Sequence, residues 1–221
     1  MVTRIRSTSV LCLAVFLAGC SVGDYENKML DAQNRLARFE ESNRLLENSV
    51  AMPGRVEKGS TVTDILLYLR PPKGISTTPA KEKRARLLYT FGPSRPSGAA
   101  PFAYVEIGYA PLATKDFEKD VLGAFTASGQ STRLSHEVAP PRRPAMAFST
   151  VEFFDSTYAY SINFFKGSVN QVAIVYAINR ASKAQAERPI KASLDSFGVD
   201  VEAAAARNNQ GSPLVVPQHP K

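Results

Sequence analysis

Hydrophobic residues follow three different spacings along this sequence, and the changes of spacing divide it into segments. Residues 10–18 form an unbroken apolar run, residues 25–46 repeat apolar side chains at steps of four and three, and residues 55–200 alternate apolar and polar positions. The second spacing is typical of a helical seam and the third of strands. Residues 201–221 are rich in Ala, Asn and Pro without any period, which predicts a disordered tail. We therefore predict four segments, residues 1–19, 20–52, 55–200 and 201–221.

The first segment has the features of an export signal. Arg4 and Arg6 precede the apolar run, and small residues stand immediately before Cys20. The sequence Leu17-Ala18-Gly19-Cys20 resembles the lipobox of bacterial lipoproteins. That resemblance implies a lipoprotein signal peptide over residues 1–19, and a Cys20 thiol that receives a diacylglycerol before cleavage exposes its amine to acylation. An ordinary secretory signal and a core strand are the alternatives that the residues leave open.

The predicted anchor fixes where we expect the chain to be. The apolar run is about half of the roughly 20 residues that a membrane-spanning helix needs, so the membrane would be bound through the acyl chains on Cys20. Ser21 follows that cysteine instead of Asp, and the resemblance then implies the periplasmic face of the outer membrane. Removal of residues 1–19 also removes Cys12. The mature chain would hold no internal disulfide, and its fold would depend on its hydrophobic core.

A helical stalk is predicted after the anchor. Its seam consists of Met29, Leu36, Phe39, Asn43 and Leu46, together with Tyr25 and Ala32. Asn43 takes an a position of the heptad, while Arg35 at g and Glu40 at e carry opposite charges, as parallel self-pairing requires. Two interpretations stay open: a homodimer through this stalk, or a single amphipathic helix that lies on the globular domain or acts as a spacer. Pro53-Gly54 is predicted to end the segment.

The third segment is predicted to be an α+β domain, with helices packed on an antiparallel sheet. Seven strands are expected, at residues 64–70, 86–91, 102–109, 131–138, 145–154, 158–165 and 169–178. The last three are joined by connections too short for crossovers, so they should form an antiparallel meander. The final strand is apolar on both faces, which predicts a central position covered on both sides.

Two helices are predicted to supply that cover. The first, at residues 115–127, carries an apolar stripe of Phe117, Val121, Leu122 and Phe125 behind a Thr114 cap. The second presents Ile190, Leu194 and Phe197, with Pro189 in its first turn and Gly198 at its end. A capping box formed by Ser182 and Gln185 would belong to a short separate turn before it.

A strand of alternating tyrosines at 158–165, the sequence Gln171-Val-Ala-Ile-Val-Tyr176 and a helix ending Ser193-Leu194-Asp195-Ser196-Phe197 follow one another. This succession resembles the C-terminal half of PsbP-like domains. The resemblance implies an α/β/α sandwich across about residues 61–200. It also implies a role in binding or assembly rather than in catalysis, although it transfers no functional residue.

Charge suggests one further surface. Basic residues outnumber acidic ones between residues 70 and 95. Four of them form a candidate anion-binding patch: Lys81, Lys83, Arg84 and Arg86. After export, nucleic acid is not an expected partner, and the candidates are anionic lipid headgroups, an acidic cell-wall polymer or an acidic envelope protein. A solvated hairpin explains the same residues.

The sequence offers little for catalysis. His136 has no histidine or cysteine at ligand spacing, and the glycines at 92 and 98 flank a proline-rich segment without the lysine of a phosphate loop. We therefore expect no catalytic activity, no metal and no cofactor, and an envelope protein that presents an interaction domain. The alternative is a small-ligand carrier with a closed apolar pocket lined by Tyr158, Tyr160 and Phe102.

Overall fold

The structure is a computed structural model, and it describes residues 6–58, 61–79, 87–94, 101–126, 134–138, 147–168 and 170–200. The chain divides into two compact units, Met1–Arg44 and Leu45–Lys221. An N-terminal helix is followed by a body of antiparallel sheets, and the described residues include three α-helices. The predicted α+β class with a long N-terminal helix is thereby confirmed.

The first helix, α1, runs over Arg6–Leu45. Three acidic residues each stand four positions before a basic one, a spacing that stabilises an isolated helix: Asp24 and Lys28, Asp31 and Arg35, Glu40 and Arg44. The helix does not continue to Pro53-Gly54, so the predicted end of the stalk is wrong. Among the helices of the described residues, none has both the length and the apolar content to cross a membrane.

The described residues form nine strands in two sheets. Their bounds are β1 Val50–Lys58, β2 Thr61–Leu69, β3 Leu87–Phe91, β4 Phe102–Pro111, β5 Leu134–Val138, β6 Phe148–Phe154, β7 Tyr158–Lys166, β8 Asn170–Asn179 and β9 Gly198–Asp200. The smaller sheet has the order β1-β2-β9 and the larger one β3-β4-β8-β7-β6-β5. The predicted strands correspond to β2 through β8, whereas β1 and β9 are additional. Pro53 and Gly54 lie inside β1.

The predicted meander and its central strand are confirmed. Strands β6, β7 and β8 pair antiparallel in sequence order. Strand β8 lies between β4 and β7, and its residues 172–178 are buried without alternation. A strand whose two faces are both apolar must be covered on both sides, and the larger sheet has a separate hydrophobic core on each face.

The two cores differ in what covers them. Helix α2, Phe117–Thr126, covers one face through Phe117, Val121 and Phe125, as the stripe predicted. We call this the helix-side core. The other face packs against the smaller sheet and the third helix, α3, Lys183–Ser196, and we call it the sheet-side core. Each core buries one set of alternate side chains from the same central strands.

Both helices begin differently from the prediction. Helix α2 starts only after Asp116, which has a left-handed φ of 63°, and Gln171 Nε2 donates to the carbonyls of Pro111, Leu112 and Thr114 just before it. Thr114 is therefore not the cap. Helix α3 starts at Lys183 and contains Pro189 in its interior. Packing of Ala186, Ser193 and Leu194 holds the helix together across the hydrogen bond that this proline cannot donate.

The predicted details of the α3 ends are also wrong. Ser182 is its N-cap but makes no side-chain capping hydrogen bond, so the capping box with Gln185 is not formed. A 3-10 turn over Arg180–Ser182 leads directly into the helix. At the other end Phe197 is the C-cap, and Gly198 begins β9.

Candidate functional site

The sequence-predicted site residues fall into three groups. Cys20 belongs to the backbone of α1, which passes through it without interruption, and its side chain lies outside the described residues. The basic patch of Lys81, Lys83, Arg84 and Arg86 lies outside the described residues altogether. The seam residues of the stalk are the group whose surroundings the structure describes.

Four large apolar side chains of that seam are exposed on α1. They are Tyr25, Met29, Leu36 and Phe39, with exposed fractions from 45% to 64%. Steps of four, seven and three residues place them along one side of the helix, because residues three and four apart are neighbours on its surface. We call these four residues the α1 stripe. It is an apolar surface that the single chain leaves in contact with water.

Leu46 does not belong to this surface, and its predicted place in the seam is wrong. Helix α1 ends one residue earlier, at Leu45, and Leu46 is 1% exposed. It forms an isolated antiparallel bridge with Pro72, flanked by hydrogen bonds from Glu47 N to Pro71 O and from Lys73 N to Leu45 O. The spacing of four and three continues past the end of the helix, so periodicity alone could not separate Leu46 from Leu36.

The residues around Leu46 form a hydrogen-bonded joint. Arg70 Nε donates to Glu47 O at 2.9 Å. The Glu47 carboxylate accepts from Gly74 N at 3.0 Å and from Lys73 Nζ at 3.4 Å. Burial lowers the pKa of Arg70 from its ordinary value, and the charge of Glu47 opposes that shift. The segment that follows α1 is therefore fixed to the end of β2.

The same joint extends into the sheet-side core. Ser193 Oγ donates to Arg70 O at 2.6 Å and accepts from Tyr176 Oη at 2.9 Å. Arg70 N donates to Ser196 Oγ at 2.9 Å. Burial raises the pKa of Tyr176, although its bond to Ser193 acts in the opposite direction. No local pattern indicated the contacts of Arg70 with α3, because they join residues more than a hundred positions apart.

A second polar cluster lies at one end of the larger sheet. Asp155 Oδ1 accepts from the backbone N–H groups of Thr157 and Tyr158, and Asp155 Oδ2 accepts from Tyr160 Oη at 2.6 Å. The Tyr104 and Tyr158 rings lie 6.3 Å apart, centroid to centroid. Burial and the bond to Asp155 raise the pKa of Tyr160. Asp155 thus fixes the turn between β6 and β7.

The tyrosines of this cluster do not form the pocket that the sequence suggested for a ligand. Tyr158 and Tyr160 pack with the helix-side core, whereas Phe102 belongs to the sheet-side core, with its ring 6.2 Å from that of Tyr176. The six-stranded sheet separates them. These three side chains therefore cannot line one cavity.

Neither a metal site among the described residues nor a similarity to known proteins assigns a function to this chain. Among the described residues, no group of three or more His, Cys, Asp or Glu side chains is placed to hold a metal ion. The chain matches no protein-family model, and a search of curated proteins finds no significant match. The α1 stripe and the predicted anchor at Cys20 are therefore the features on which a functional proposal can be built.

Proposed function

We propose that this protein is a lipid-anchored lipoprotein of the bacterial cell envelope, which presents a non-catalytic interaction domain at the periplasmic face of the outer membrane. The observation that carries the proposal is Leu17-Ala18-Gly19-Cys20, placed after a basic start and a short apolar run. Cleavage before Cys20 would leave that residue as the only cysteine of the mature chain. Diacylglycerol on its sulfur and a fatty acyl chain, such as palmitate, on its amine would make attachment effectively permanent.

Mass spectrometry of the protein purified from native membranes tests the anchor. We expect an N-terminal peptide that begins at Cys20 and carries the mass of three acyl chains. The Cys20→Ser variant should lose these chains, while Cys12→Ser, which changes the predicted signal only, should behave like the parent. A bare Cys20 thiol in membrane-derived protein would contradict the proposal.

The partner we propose is an envelope protein or an acidic cell-wall polymer, with the patch of Lys81, Lys83, Arg84 and Arg86 as its contact. Each Lys or Arg close to an anionic surface contributes about 1 kcal/mol. Replacement of all four by Gln should therefore weaken binding to purified peptidoglycan, which is anionic through its peptide carboxylates, and added salt should weaken binding of the parent.

A second variant controls for net charge. It replaces by Gln four other basic residues of the globular unit whose side chains are exposed, Lys115, Lys119, Arg188 and Lys191. Both variants lose the same charge, so a specific contact at the patch should weaken binding in the first variant only. Equal binding by both variants would contradict the patch.

We further infer that the globular unit is a PsbP-like sandwich. The antiparallel meander β6-β7-β8 followed by α3, and helices on both faces of the larger sheet, support this assignment. The smaller sheet β1-β2-β9, which shares the sheet-side core with α3, is a departure from a plain α/β/α sandwich. An experimental structure of the unit, superposed on a solved PsbP domain, tests the inference through the order and direction of the six strands.

A further inference from the structure

We propose that the α1 stripe binds the same stripe of a second copy of this chain, as a parallel, in-register coiled coil over residues 25–43. The stripe is apolar and exposed in the single chain, and its spacing matches the seam of a two-stranded coil. The proposal rests on the proposed function in one respect, since a shared membrane anchor would favour it. Its other supports are the positions and charges of the helix itself.

The heptad positions define which side chains would meet. Met29 and Leu36 take a positions, while Tyr25, Ala32 and Phe39 take d positions, so large apolar side chains fill four of the five layers. Asn43 adds a polar layer at the next a position, close to the helix end at Leu45. Because Leu46 is buried in the globular unit, the seam stops at Asn43 and covers about three heptads.

Charge determines the direction of pairing. Arg35 at g and Glu40 at the following e are both exposed. In a parallel, in-register pair each Arg35 faces the Glu40 of the other chain, which gives two attractive contacts. In an antiparallel pair g positions face g positions, so Arg35 would approach a basic residue such as Lys28. The parallel direction is therefore favoured, and Asn43 favours a single register because each Asn then meets its counterpart.

The proposed membrane anchor also favours parallel pairing. Two chains held by Cys20 in one bilayer present the N-terminal ends of their helices to the same surface, which is the parallel arrangement. Attachment to a shared surface also raises the effective concentration of one helix for the other. A seam of three heptads that pairs weakly in solution would therefore pair more completely between chains anchored at one membrane surface.

The rest of the helix surface fits a coil better than a membrane surface. A helix that lies on anionic lipid is rich in Lys and Arg on its polar face, whereas residues 23–45 carry nearly equal numbers of acidic and basic side chains. Six of these charges form the three acidic–basic pairs four residues apart that are described above. They stabilise a water-exposed helix that carries the stripe on one side, with Leu30 as a single large apolar side chain exposed outside it.

Cysteine cross-linking tests the proposal in the full chain. A Leu36→Cys variant places a thiol at an a position, and a matched Asn34→Cys variant places one on the opposite, solvent-facing side. A disulfide requires Cα atoms within about 7 Å, a separation that facing a positions reach and outward-facing positions do not. Mild oxidation of membranes should give a disulfide dimer with Leu36→Cys in large excess over Asn34→Cys. Equal yields, or no dimer with Leu36→Cys, would overturn the proposal.

The parent chain separates this result from the anchor. With Cys12 cleaved away and the Cys20 sulfur acylated, the parent should neither cross-link nor react with a maleimide. Reaction of the parent would count against the anchor alone. The same two variants in a Cys12→Ser, Cys20→Ser chain, purified in detergent, then report on pairing without acyl chains. We expect the same preference for Leu36→Cys there, at a lower total yield, and loss of that preference would overturn the pairing.

A charge exchange tests the direction. Arg35→Glu in the Leu36→Cys chain should lower the disulfide yield several-fold, because two repulsive contacts replace two attractive ones. Adding Glu40→Arg to that variant should restore part of the yield, because the attraction between the chains is re-formed with the signs exchanged while the pairs with Asp31 and Arg44 within each helix are repulsive. Failure of the double exchange to restore cross-linking would overturn the parallel, in-register arrangement.

Discussion

Leu36 and Leu46 have the same residue type and the same heptad spacing, yet their surroundings in the structure are opposite. Leu36 is 57% exposed on α1, whereas Leu46 is 1% exposed against Pro72 in the globular unit. The spacing of apolar residues predicts which side of an element avoids water. It does not determine whether the cover comes from the same chain or from another molecule.

The globular unit supplies that cover internally and on both faces of one sheet. Strand β8 contributes Ile174 and Tyr176 to the sheet-side core and Ala173 and Val175 to the helix-side core. Helix α1 contributes large apolar side chains of comparable size, which stay exposed in the single chain. Equivalent substitutions in these two regions should therefore have unequal effects on folding.

The largest contrast is expected for Leu46→Ala against Leu36→Ala. Removal of a fully buried leucine side chain typically lowers the free energy of unfolding by about 2–5 kcal/mol, because the lost apolar burial is compounded by a cavity. An exposed leucine on a helix should change it by less than about 0.5 kcal/mol. Urea unfolding followed by near-UV circular dichroism reports on the globular unit through its tyrosines, since the chain has no tryptophan.

The measurement for Leu36→Ala should be made on monomeric protein, in dilute solution of the acyl-free chain. Pairing of the stripe would otherwise add a concentration-dependent contribution. Equal unfolding midpoints for the two variants would show that Leu46 is not part of the core of the globular unit.

A smaller contrast is expected for Gly54→Ala against Gly23→Ala. An added Cβ at Gly54 in β1 would lie 2.9 Å from Ile65 Cγ1 and 3.0 Å from Tyr109 Cζ, where the two sheets approach. Such overpacking costs about 1–3 kcal/mol. At Gly23 in α1 an added Cβ meets no atom within 4 Å, and alanine favours the helix by about 1 kcal/mol over glycine.

Thermal unfolding of both glycine variants checks this contrast. The near-UV transition should shift to lower temperature for Gly54→Ala and stay unchanged for Gly23→Ala, while the helical signal of the latter rises slightly. A Gly54→Ala protein as stable as the parent would mean that β1 and β4 can separate without cost at this position.

Sequence pattern predicted the parts of the fold that alternate strongly, and missed those fixed by distant contacts. Strand β7 alternates bulky and small side chains, and β8 is apolar on both faces. The short connections between β6, β7 and β8 predicted their pairing order. Strand β1 contains Pro53 and Gly54, which act as breakers in sequence yet lie where β1 pairs with β2 through Leu66 and Ile65. Pro189 suggested a helix start, but packing of α3 on the sheet overrides that local preference.

The candidate site divides in the same way. The α1 stripe could be read from spacing alone, because a helix repeats its surface locally. The joint of Glu47, Arg70 and Ser193 could not, since nothing in the sequence near one of these residues indicates the others. Helix α1 ends at Leu45, where this joint begins. The predicted seam therefore extends too far, because it includes Leu46.

A third contrast, smaller than the first two, is expected when one tyrosine hydroxyl is removed in each region. Tyr176→Phe deletes the donor that contacts Ser193 Oγ inside the sheet-side core. A buried hydrogen bond of this kind contributes about 0.5–1.5 kcal/mol to stability. Tyr25→Phe on exposed α1 should leave the unfolding of the globular unit unchanged. The urea midpoints of the two variants are compared with that of the parent. A Tyr176→Phe protein as stable as the parent would show that the Tyr176 hydroxyl does not stabilise the joint.

The smallest contrast concerns acid. Burial alone would raise the pKa of Asp155, but hydrogen bonds from Tyr160, Tyr158 and Thr157, together with the charge of Arg180, lower it below its ordinary value. A carboxylate with a lowered pKa in the folded state stabilises that state at pH values above the ordinary pKa of aspartate, about 3.9. This contribution is lost as the pH falls further, through the lower pKa of the folded protein.

Asp155→Asn should therefore flatten the loss of stability in acid. We expect the urea midpoint of the parent to fall more steeply than that of Asp155→Asn as the pH is taken from 5 to about 2, the range over which such a carboxylate takes up its proton. Asp31→Asn on α1 serves as the matched change of charge, and it should follow the parent, because its carboxylate lies on exposed helix remote in sequence from the turn between β6 and β7. If Asp31→Asn flattened the curve as much as Asp155→Asn, net charge rather than the Tyr160 contact would account for the effect. The acid sensitivity of the globular unit would then not depend on the hydrogen bonds of Asp155.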